Sequence, residues 1–213
     1  MDYTKNMAYD PRDHIGKQLR AGGYERDLLR AVRDLAFDDL GVNSVVLDVG
    51  AHVGNFATFV THNLPDAAAP HTRVLAFEPN PDSFKYLEHN AQRYGFEAFN
   101  FAVTDAYPSC SIEPGPEGNS GMAKITEGGD IACVFLDDMV DAGEDVVILK
   151  VDVEGHESAV LRTARLILST SKPLVICEAH NKEKFDELDS YLADFGYKWT
   201  GKRYCATPTY IWQ

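Results

Sequence analysis

The sequence contains few cysteines and no long apolar run. Its four cysteines, Cys110, Cys133, Cys177 and Cys205, are widely separated and form no C-x-x-C pair. This spacing argues against a zinc site and predicts reduced thiols. No stretch approaches the roughly 18 apolar residues that a membrane-spanning helix needs, and the N-terminus lacks the apolar centre of a signal peptide. We therefore expect a soluble, cytoplasmic protein.

Basic residues are also scarce. Lys and Arg number 20 against 33 Asp and Glu, which gives a formal net charge of −13 at pH 7. Such a charge repels phosphate backbones and anionic lipid surfaces, so neither nucleic acid nor a membrane is an expected partner. A length of 213 residues with 45% hydrophobic content suits one α/β domain over residues 1–213.

The most informative stretch is an apolar run that ends in a glycine-spaced turn. Residues 45–47 are apolar without alternation, which is typical of a parallel strand covered on both faces. Gly50 and Gly54 follow, where the backbone must turn sharply and a helix must pack closely. Glu78 ends the next apolar run, and a carboxylate there can accept hydrogen bonds from both ribose hydroxyls. The pattern predicts a nucleoside-binding βαβ unit.

The residues between the glycines indicate which nucleoside cofactor binds. His52 and Asn55 occupy the second and third glycine positions of the dinucleotide pattern, and the second must be small, which argues against NAD or FAD. The spacing of Asp48, Gly50 and Gly54 is compatible with S-adenosylmethionine, which has no phosphate. Its cationic sulfonium suits the acid Asp48. A lone glycine pattern also fits an ordinary tight turn, but the acid after the next strand favours the nucleoside interpretation.

Apolar spacing and turn residues predict alternating helices and strands. A Pro- and Gly-rich segment, residues 107–130, is interpreted as an insertion or lid with short hairpin strands around Ser111 and Lys124. Residues 1–44 form a predicted N-terminal helical extension. The predicted helices are 24–40, 54–63, 82–94, 157–168 and 185–195, and the predicted strands that follow the βαβ unit are 99–103, 131–135, 146–153 and 174–179.

Polar residues gather at the ends of two late strands. Strand alternation places Lys150, Asp152 and Glu154 on one side, and Glu178 and His180 likewise share a side. Open parallel sheets bind ligands beyond the carboxyl ends of their strands. We therefore expect these groups to converge on the crevice that holds the cofactor.

Six short motifs follow one another in a fixed order. They are DVGAHVGN at 48–55, FEPNP at 77–81, AVTD at 102–105, LDD at 136–138, LKVDVEGHE at 149–157 and EAH at 178–180. Together they resemble the FkbM family of class I S-adenosylmethionine-dependent methyltransferases. The resemblance implies a Rossmann-like α/β fold, with a seven-stranded, mainly parallel sheet, helices on both faces and an antiparallel last strand.

The resemblance also implies which residues hold the cofactor. Asp48 and the glycine loop would hold the methionine part, Glu78 the ribose, and residues after the second and third strands the adenine side. At His52 the family commonly has asparagine, so contact between this side chain and the cofactor stays open. The implied cofactor-binding residues are Asp48, Gly50, Ala51, His52, Gly54, Asn55, Glu78, Asn80, Ala102 and Val103.

Methyl transfer requires alignment of the acceptor and, for a hydroxyl, removal of its proton. His180, which Glu178 could orient, and Asp152 are both candidate bases, and the sequence does not choose between them. Lys150 is expected to neutralise a neighbouring carboxylate. A divalent metal on Asp152, Glu178, His180 and Asn181 is a less favoured alternative, because no dedicated metal motif is present.

Three functions follow from these expectations. The first is O-methylation of a hydroxyl on a sugar or secondary metabolite, the substrate class that the resemblance suggests. The second is N-methylation of a small-molecule or peptide amine, and the third is a non-catalytic nucleoside-binding scaffold. For an enzyme we expect a small-molecule acceptor whose pocket is shaped by residues 107–130 and the N-terminal helix. The sequence leaves open whether the chain forms a homo-oligomer.

Overall fold

Helices and strands alternate along most of the chain. A computed structural model describes residues 3–22 and 24–213; residues 1, 2 and 23, part of the predicted N-terminal extension, lie outside the described residues. The helices are α1 (His14–Arg20), α2 (Arg26–Ala36), α3 (Asn55–Asn63), α4 (Pro81–Tyr94), α5 (Glu157–Arg162), α6 (Arg165–Thr170) and α7 (Lys182–Ala193). The strands are β1 (Ser44–Val49), β2 (Thr72–Phe77), β3 (Glu97–Phe99), β4 (Ala102–Val103), β5 (Ser109–Glu113), β6 (Lys124–Glu127), β7 (Ile131–Val134), β8 (Asp145–Val151), β9 (Leu174–Glu178), β10 (Trp199–Tyr204) and β11 (Thr209–Trp212).

The main sheet has seven strands in the order β10-β11-β9-β8-β1-β2-β3. Strands β3, β2, β1, β8 and β9 pair in parallel, whereas β11 runs antiparallel to both β9 and β10. The predicted α/β fold, with a mainly parallel sheet and a reversed last strand, is confirmed. Successive strands are added on one side of β1 up to β3 and on its other side from β8 onward, so a crevice opens beyond the carboxyl ends of β1 and β8.

The central strand is apolar because helices cover both faces of the sheet. Every residue of β1 is buried. Val46 belongs to the core on one face with Phe56 of α3, and Leu47 belongs to the core on the other face with Leu161 of α5. Cys177 is fully buried in this second core, as expected for a packing residue.

The predicted strand 99–103 is wrong as a single element. Phe99 ends β3 in the main sheet, whereas Ala102 and Val103 pair with β7 in a second sheet. Between them, the Asn100 side chain donates hydrogen bonds to the carbonyl oxygens of Glu78 (2.8 Å) and Pro79 (3.0 Å). The Asn100 side chain thus stabilises the point at which the chain leaves the main sheet after β3 and enters the second sheet at β4.

The predicted helix 157–168 is also divided, into α5 and α6. The Thr163 carbonyl accepts a hydrogen bond from the Asp137 amide, so it is diverted from the helix. The Asp137 carboxylate then accepts the amides of Leu166 (2.9 Å) and Ile167 (3.0 Å). An acid distant in sequence therefore supplies the cap that begins the second helix.

The Pro- and Gly-rich segment contains the predicted hairpin. Strands β5 and β6 pair antiparallel, and a four-stranded sheet has the order β4-β7-β5-β6. The segment also contacts the N-terminal part of the chain, where the His14 amide donates to the Gly118 carbonyl at 2.9 Å. Among the described residues, no helix combines the length and apolar character needed to cross a bilayer.

Candidate functional site

A cavity of about 580 Å³ opens beyond the carboxyl ends of β1, β2, β8 and β9. Helix α1 and the 107–130 segment cover it from outside, with His14, Ile15 and Ser120 among the lining residues. Its volume lies in the range that is usual for small-molecule binding sites, about 300 to 1,000 Å³, and is large enough for a nucleoside cofactor. Twelve of the fourteen predicted site residues line it, namely Asp48, Gly50, Ala51, His52, Glu78, Asn80, Ala102, Val103, Lys150, Asp152, Glu178 and His180.

The glycine turn is built for close approach of backbone to backbone. Gly50 has φ +79°, and a Cβ atom there would lie 1.8 Å from the carbonyl oxygen of Asp152. The amides of Gly50 and Ala51 both donate to the Phe77 carbonyl at 3.0 Å. The turn is thus held between β2 and the end of β8, and only glycine fits at its first position.

Gly54 and Asn55 lie just behind the cavity wall, outside its lining. Gly54 has φ +83°, and a Cβ atom there would lie 2.7 Å from Leu87, so this glycine allows α3 and α4 to pack closely. The Asn55 amide donates to the Glu25 carboxylate at 3.1 Å, and its carbonyl oxygen accepts from the Tyr3 hydroxyl at 3.0 Å. Gly54 and Asn55 therefore support the glycine turn from the side that faces away from the cavity.

Asp48 is a fully buried acid at the end of β1. One oxygen accepts the Ala57 amide at 3.1 Å, and the other, Oδ1, is buried and has no hydrogen-bond partner among the residues that the structure describes. Burial raises the pKa of Asp48 to about 6, opposed by the positive charge of Lys150. A buried carboxylate oxygen without a partner is costly, and a cationic or hydrogen-bond-donating ligand would satisfy it.

Glu78 lies just after β2 and joins the loop that follows β1 to the loop that follows β2. Its Oε2 accepts the His52 amide and its Oε1 accepts the Asn80 amide, both at 2.8 Å. Each oxygen keeps a second lone pair for a ligand hydroxyl. Burial raises the pKa of Glu78 to about 7, although the two amide hydrogen bonds favour the ionised form.

His52 connects the glycine turn to the covering segments. It adopts a left-handed conformation with φ 51°, and its Nε2 lies 2.7 Å from the Ser120 hydroxyl oxygen. The Ser120 hydroxyl donates to Asp13 at 2.9 Å, and Asp13 also accepts the Ser120 amide at 2.8 Å. Burial lowers the pKa of His52, so the neutral ring is favoured. Sequence patterns do not reveal this three-residue chain, because its members lie far apart in the sequence.

Lys150 and Asp152 form a buried ion pair at the end of β8. Their Nζ and Oδ2 atoms are 3.0 Å apart, and Lys150 also lies 5.9 Å from the centre of the Phe56 ring. Burial lowers the pKa of Lys150, but the charges of Asp152 and Glu25 outweigh it and hold that pKa well above its usual range. Burial raises the pKa of Asp152, but Lys150 outweighs it and the net pKa is lowered. Asp152 is therefore held as a carboxylate.

Three further polar side chains meet beside this ion pair. The Nε2 atom of His180 lies 3.5 Å from Oε2 of Glu154 and 3.6 Å from Oε2 of Glu178. Burial and the negative charge of Asp152 raise the pKa of Glu178 to about 9, and the same two causes raise the pKa of Glu154. The predicted convergence of Asp152, Glu154, Glu178 and His180 is therefore present in the structure. Asn181 instead caps α7, because its side-chain oxygen accepts a hydrogen bond from the Lys184 amide.

Sequence patterns also do not identify the residues that close the cavity on this acidic side. Tyr24 and Glu25 precede α2, and Cys205, Thr207 and Thr209 lie at or just before β11. Glu25 has φ 53°, a left-handed conformation that non-glycine residues rarely adopt. No motif marks any of these positions, since they reach the cavity only through the reversed strand and the N-terminal segment.

In comparisons with known proteins, the chain matches methyltransferases. A family model described as the methyltransferase FkbM domain matches residues 48–199. The hexuronic acid methyltransferase AglP of Haloferax volcanii is 32% identical over 162 residues, which cover 73% of this chain and 62% of AglP. The chain thus spans less than two thirds of the length of this curated relative.

Solved structures share the fold. A methyltransferase FkbM from Methylobacillus flagellatus KT superposes with a TM-score of 0.58 and 17% identity, covering 99% of this chain and 57% of that chain. The N-terminal domain of human METTL16, solved in complex with SAH (S-adenosylhomocysteine), superposes with a TM-score of 0.51 and 12% identity, covering 87% of this chain and 67% of that domain.

Proposed function

This chain belongs to the FkbM methyltransferase family, and on that premise we propose that it uses S-adenosylmethionine to methylate a hydroxyl oxygen of a sugar or secondary metabolite. The observation that carries the proposal is the contact between the glycine turn and Asp152, which joins a nucleoside-type loop to an acid-rich strand end. The relative AglP, which acts on a hexuronic acid, supports a sugar-like acceptor.

The residues of the cavity fit the cofactor. Each Glu78 oxygen accepts one amide and keeps a lone pair for a ribose hydroxyl, and Gly50 allows the turn to approach the end of β8 closely. The unpaired Oδ1 of Asp48 suits the methionine end, and Ala102 and Val103 give an apolar wall for the adenine ring. When bound, S-adenosylmethionine supplies a methyl group already activated by the sulfonium charge.

The acidic side of the cavity is the place for the acceptor. Asp152 is held as a carboxylate by Lys150, so it can accept a hydroxyl proton. His180 is the second candidate base, because its Nε2 lies between two carboxylates and 39% of its side chain is exposed. A carboxylate-rich pocket orients an acceptor through its hydroxyl groups, each of which can donate a hydrogen bond.

We further propose that residues 107–130 are an insertion that acts as a lid within one domain formed by residues 1–213. The support is the chain of hydrogen bonds from His52 through Ser120 to Asp13, which ties this segment and α1 to the glycine turn. A lid held at the cofactor loop excludes water from the cavity.

The decisive experiment is methyl transfer from isotopically labelled S-adenosylmethionine to a panel of neutral sugars, uronic acids, phenols and amines. We expect an alkali-stable methyl ether on a polyol or sugar. Asp152→Asn should slow this transfer at least about 100-fold while binding of SAH is retained, as for loss of a general base. Methylation of amines alone, or cofactor binding without turnover on any acceptor, would contradict the proposal.

A further inference from the structure

Glu154, Glu178 and His180 form an open cluster of ligand-type atoms on the acceptor side of the cavity. One atom of each lies within 4.8 Å of the other two, and the histidine nitrogen is 3.5 and 3.6 Å from the two carboxylate oxygens. These separations exceed those of good hydrogen bonds. The two distances from the histidine nitrogen lie at or just beyond the upper end of the spacing of about 3 to 3.5 Å between neighbouring ligands on a single metal ion with bonds near 2.1 Å.

A second observation is a buried oxygen atom that faces this cluster. Glu178 is 5% exposed, and its Oε2, the atom that faces His180, is buried and finds no hydrogen-bond partner within the described part of the chain. A buried carboxylate oxygen without a partner is costly. The nearby cation does not pair with it, because Lys150 donates to Asp152 instead. A cation between Glu178 and His180 would satisfy this oxygen.

We propose that Glu154, Glu178 and His180 bind a divalent transition-metal ion that presents the acceptor hydroxyl to the transferred methyl group. Two carboxylates and one imidazole are a mixed oxygen and nitrogen set, which suits Mn²⁺ or Zn²⁺ better than the all-oxygen sites of Ca²⁺ and Mg²⁺. Three protein ligands at a cavity wall leave open positions for substrate, as in catalytic metal sites.

The site deepens the proposed function and rests on it. A metal-bound hydroxyl loses its proton more readily, and the carboxylate of Asp152, two positions before Glu154, accepts that proton. The oxygen electron pair then forms the C–O bond to the methyl carbon, and the electron pair of the broken S–C bond remains on sulfur. The cation would also favour the ionised forms of Glu154 and Glu178, which burial disfavours. His180 is then a ligand, and Asp152 is the base.

The test is metal binding by the full chain in the absence of acceptor. Protein freed of metal with a chelator is titrated with Mn²⁺, and binding is followed by calorimetry and by loss of the free-ion electron paramagnetic resonance signal. We expect one Mn²⁺ per chain. The variants Glu154→Gln and His180→Ala should weaken binding at least about 10-fold, as loss of one ligand does. The controls Glu88→Gln and His89→Ala, exposed on α4, should bind like the unmodified chain.

Two outcomes would overturn the metal site. One is the absence of stoichiometric binding, and the other is binding that the Glu154 and His180 variants leave unchanged. The alternative is that Glu178 shares a proton with Asp152 and holds no metal. In that case neither the unmodified chain nor the Glu178→Gln variant, which keeps a hydrogen bond to Asp152, binds Mn²⁺. SAH titrated into the same samples separates the two proposals. SAH binding without Mn²⁺ binding rejects only the metal site, whereas Mn²⁺ binding without SAH binding rejects the cofactor assignment.

Discussion

The carbonyl oxygen of Asp152 lies 1.8 Å from the point that a Cβ atom on Gly50 would occupy. The Asp152 amide donates to the carbonyl oxygen of Val49 at 2.9 Å, so the two chain segments are locked together at the crossover point of the sheet. One backbone contact therefore sets the distance between the cofactor loop and the acidic strand end. Chemistry between a bound cofactor and an acceptor depends on such positioning, and small displacements are costly.

Gly50→Ala should both destabilise the chain and abolish SAH binding. The added Cβ would overlap backbone that no side-chain rotation can move, and we expect a loss of about 3 kcal/mol or more in the free energy of unfolding. Gly95→Ala is the matched control. Gly95 has φ +83°, but apart from its two chain neighbours no described residue has an atom within 4 Å of the position that its Cβ would take, so only the left-handed strain of about 1 to 2 kcal/mol applies. Urea denaturation checks both values, and equal losses in the two variants would show that the contact with Asp152 is unimportant.

Glu78→Ala should lower SAH affinity at least about 100-fold, because two hydrogen bonds to a charged acceptor are lost. Isothermal titration calorimetry measures the change. Glu88→Ala, an exposed acid on α4, provides the control and should bind normally. Normal binding by the Glu78 variant would reject its assignment to the ribose.

We expect the buried acid Glu78 to make cofactor binding dependent on pH. Its pKa is raised to about 7, chiefly by burial, so the carboxylate is protonated as the pH falls below that value. Ribose hydroxyls bind the ionised form better, and SAH affinity should therefore decrease from pH 8 to pH 6. Binding should release protons, which titrations in buffers of different ionisation enthalpy detect. Glu78→Gln should flatten the profile; an unchanged profile in this variant would place the titrating group elsewhere.

The raised pKa of Glu78 also predicts that its contribution to the free energy of unfolding decreases as the pH rises, whereas cofactor affinity increases. Because the folded pKa of about 7 exceeds the usual 4.5, the folded chain holds this proton more tightly than the unfolded chain. The contribution of Glu78 is therefore full below pH 4.5 and is lost as the pH rises to about 7. The change is at most about 3 kcal/mol. Denaturation at pH 5 and pH 8 should show a smaller loss for Glu78→Gln than for the unmodified chain, and equal losses would contradict the assignment.

Local sequence patterns were sufficient for most of the fold. The run before Gly50 and the helix from Asn55 to Asn63 follow directly from apolar spacing, glycine and the proline after the helix. The errors arise where a distant side chain decides the outcome. Asn100 splits one strand, and Asp137 caps the second half of a divided helix. Neither effect leaves a periodic signal.

The site was predictable only where local sequence patterns determine it. Strand alternation and the position of strand ends were enough to bring Asp152, Glu178 and His180 together. Tyr24 and Thr209 reach the cavity only through tertiary packing, so no local pattern identifies them. Gly54 and Asn55 illustrate the converse: a motif includes residues that support a binding loop as well as residues that line the cavity.

Ser120→Ala should loosen the proposed lid without altering the cofactor loop itself. The variant removes the hydroxyl between His52 and Asp13, leaving the Nε2 of a partly buried ring without a partner at a cost of about 1 kcal/mol. We expect SAH to dissociate several-fold faster and proteases to cleave residues 107–130 sooner. Ser111→Ala, at an exposed position on β5 of the same segment, is the control for loss of a hydroxyl. Identical dissociation and cleavage rates in both variants would show that the contact with His52 does not hold the segment over the cavity.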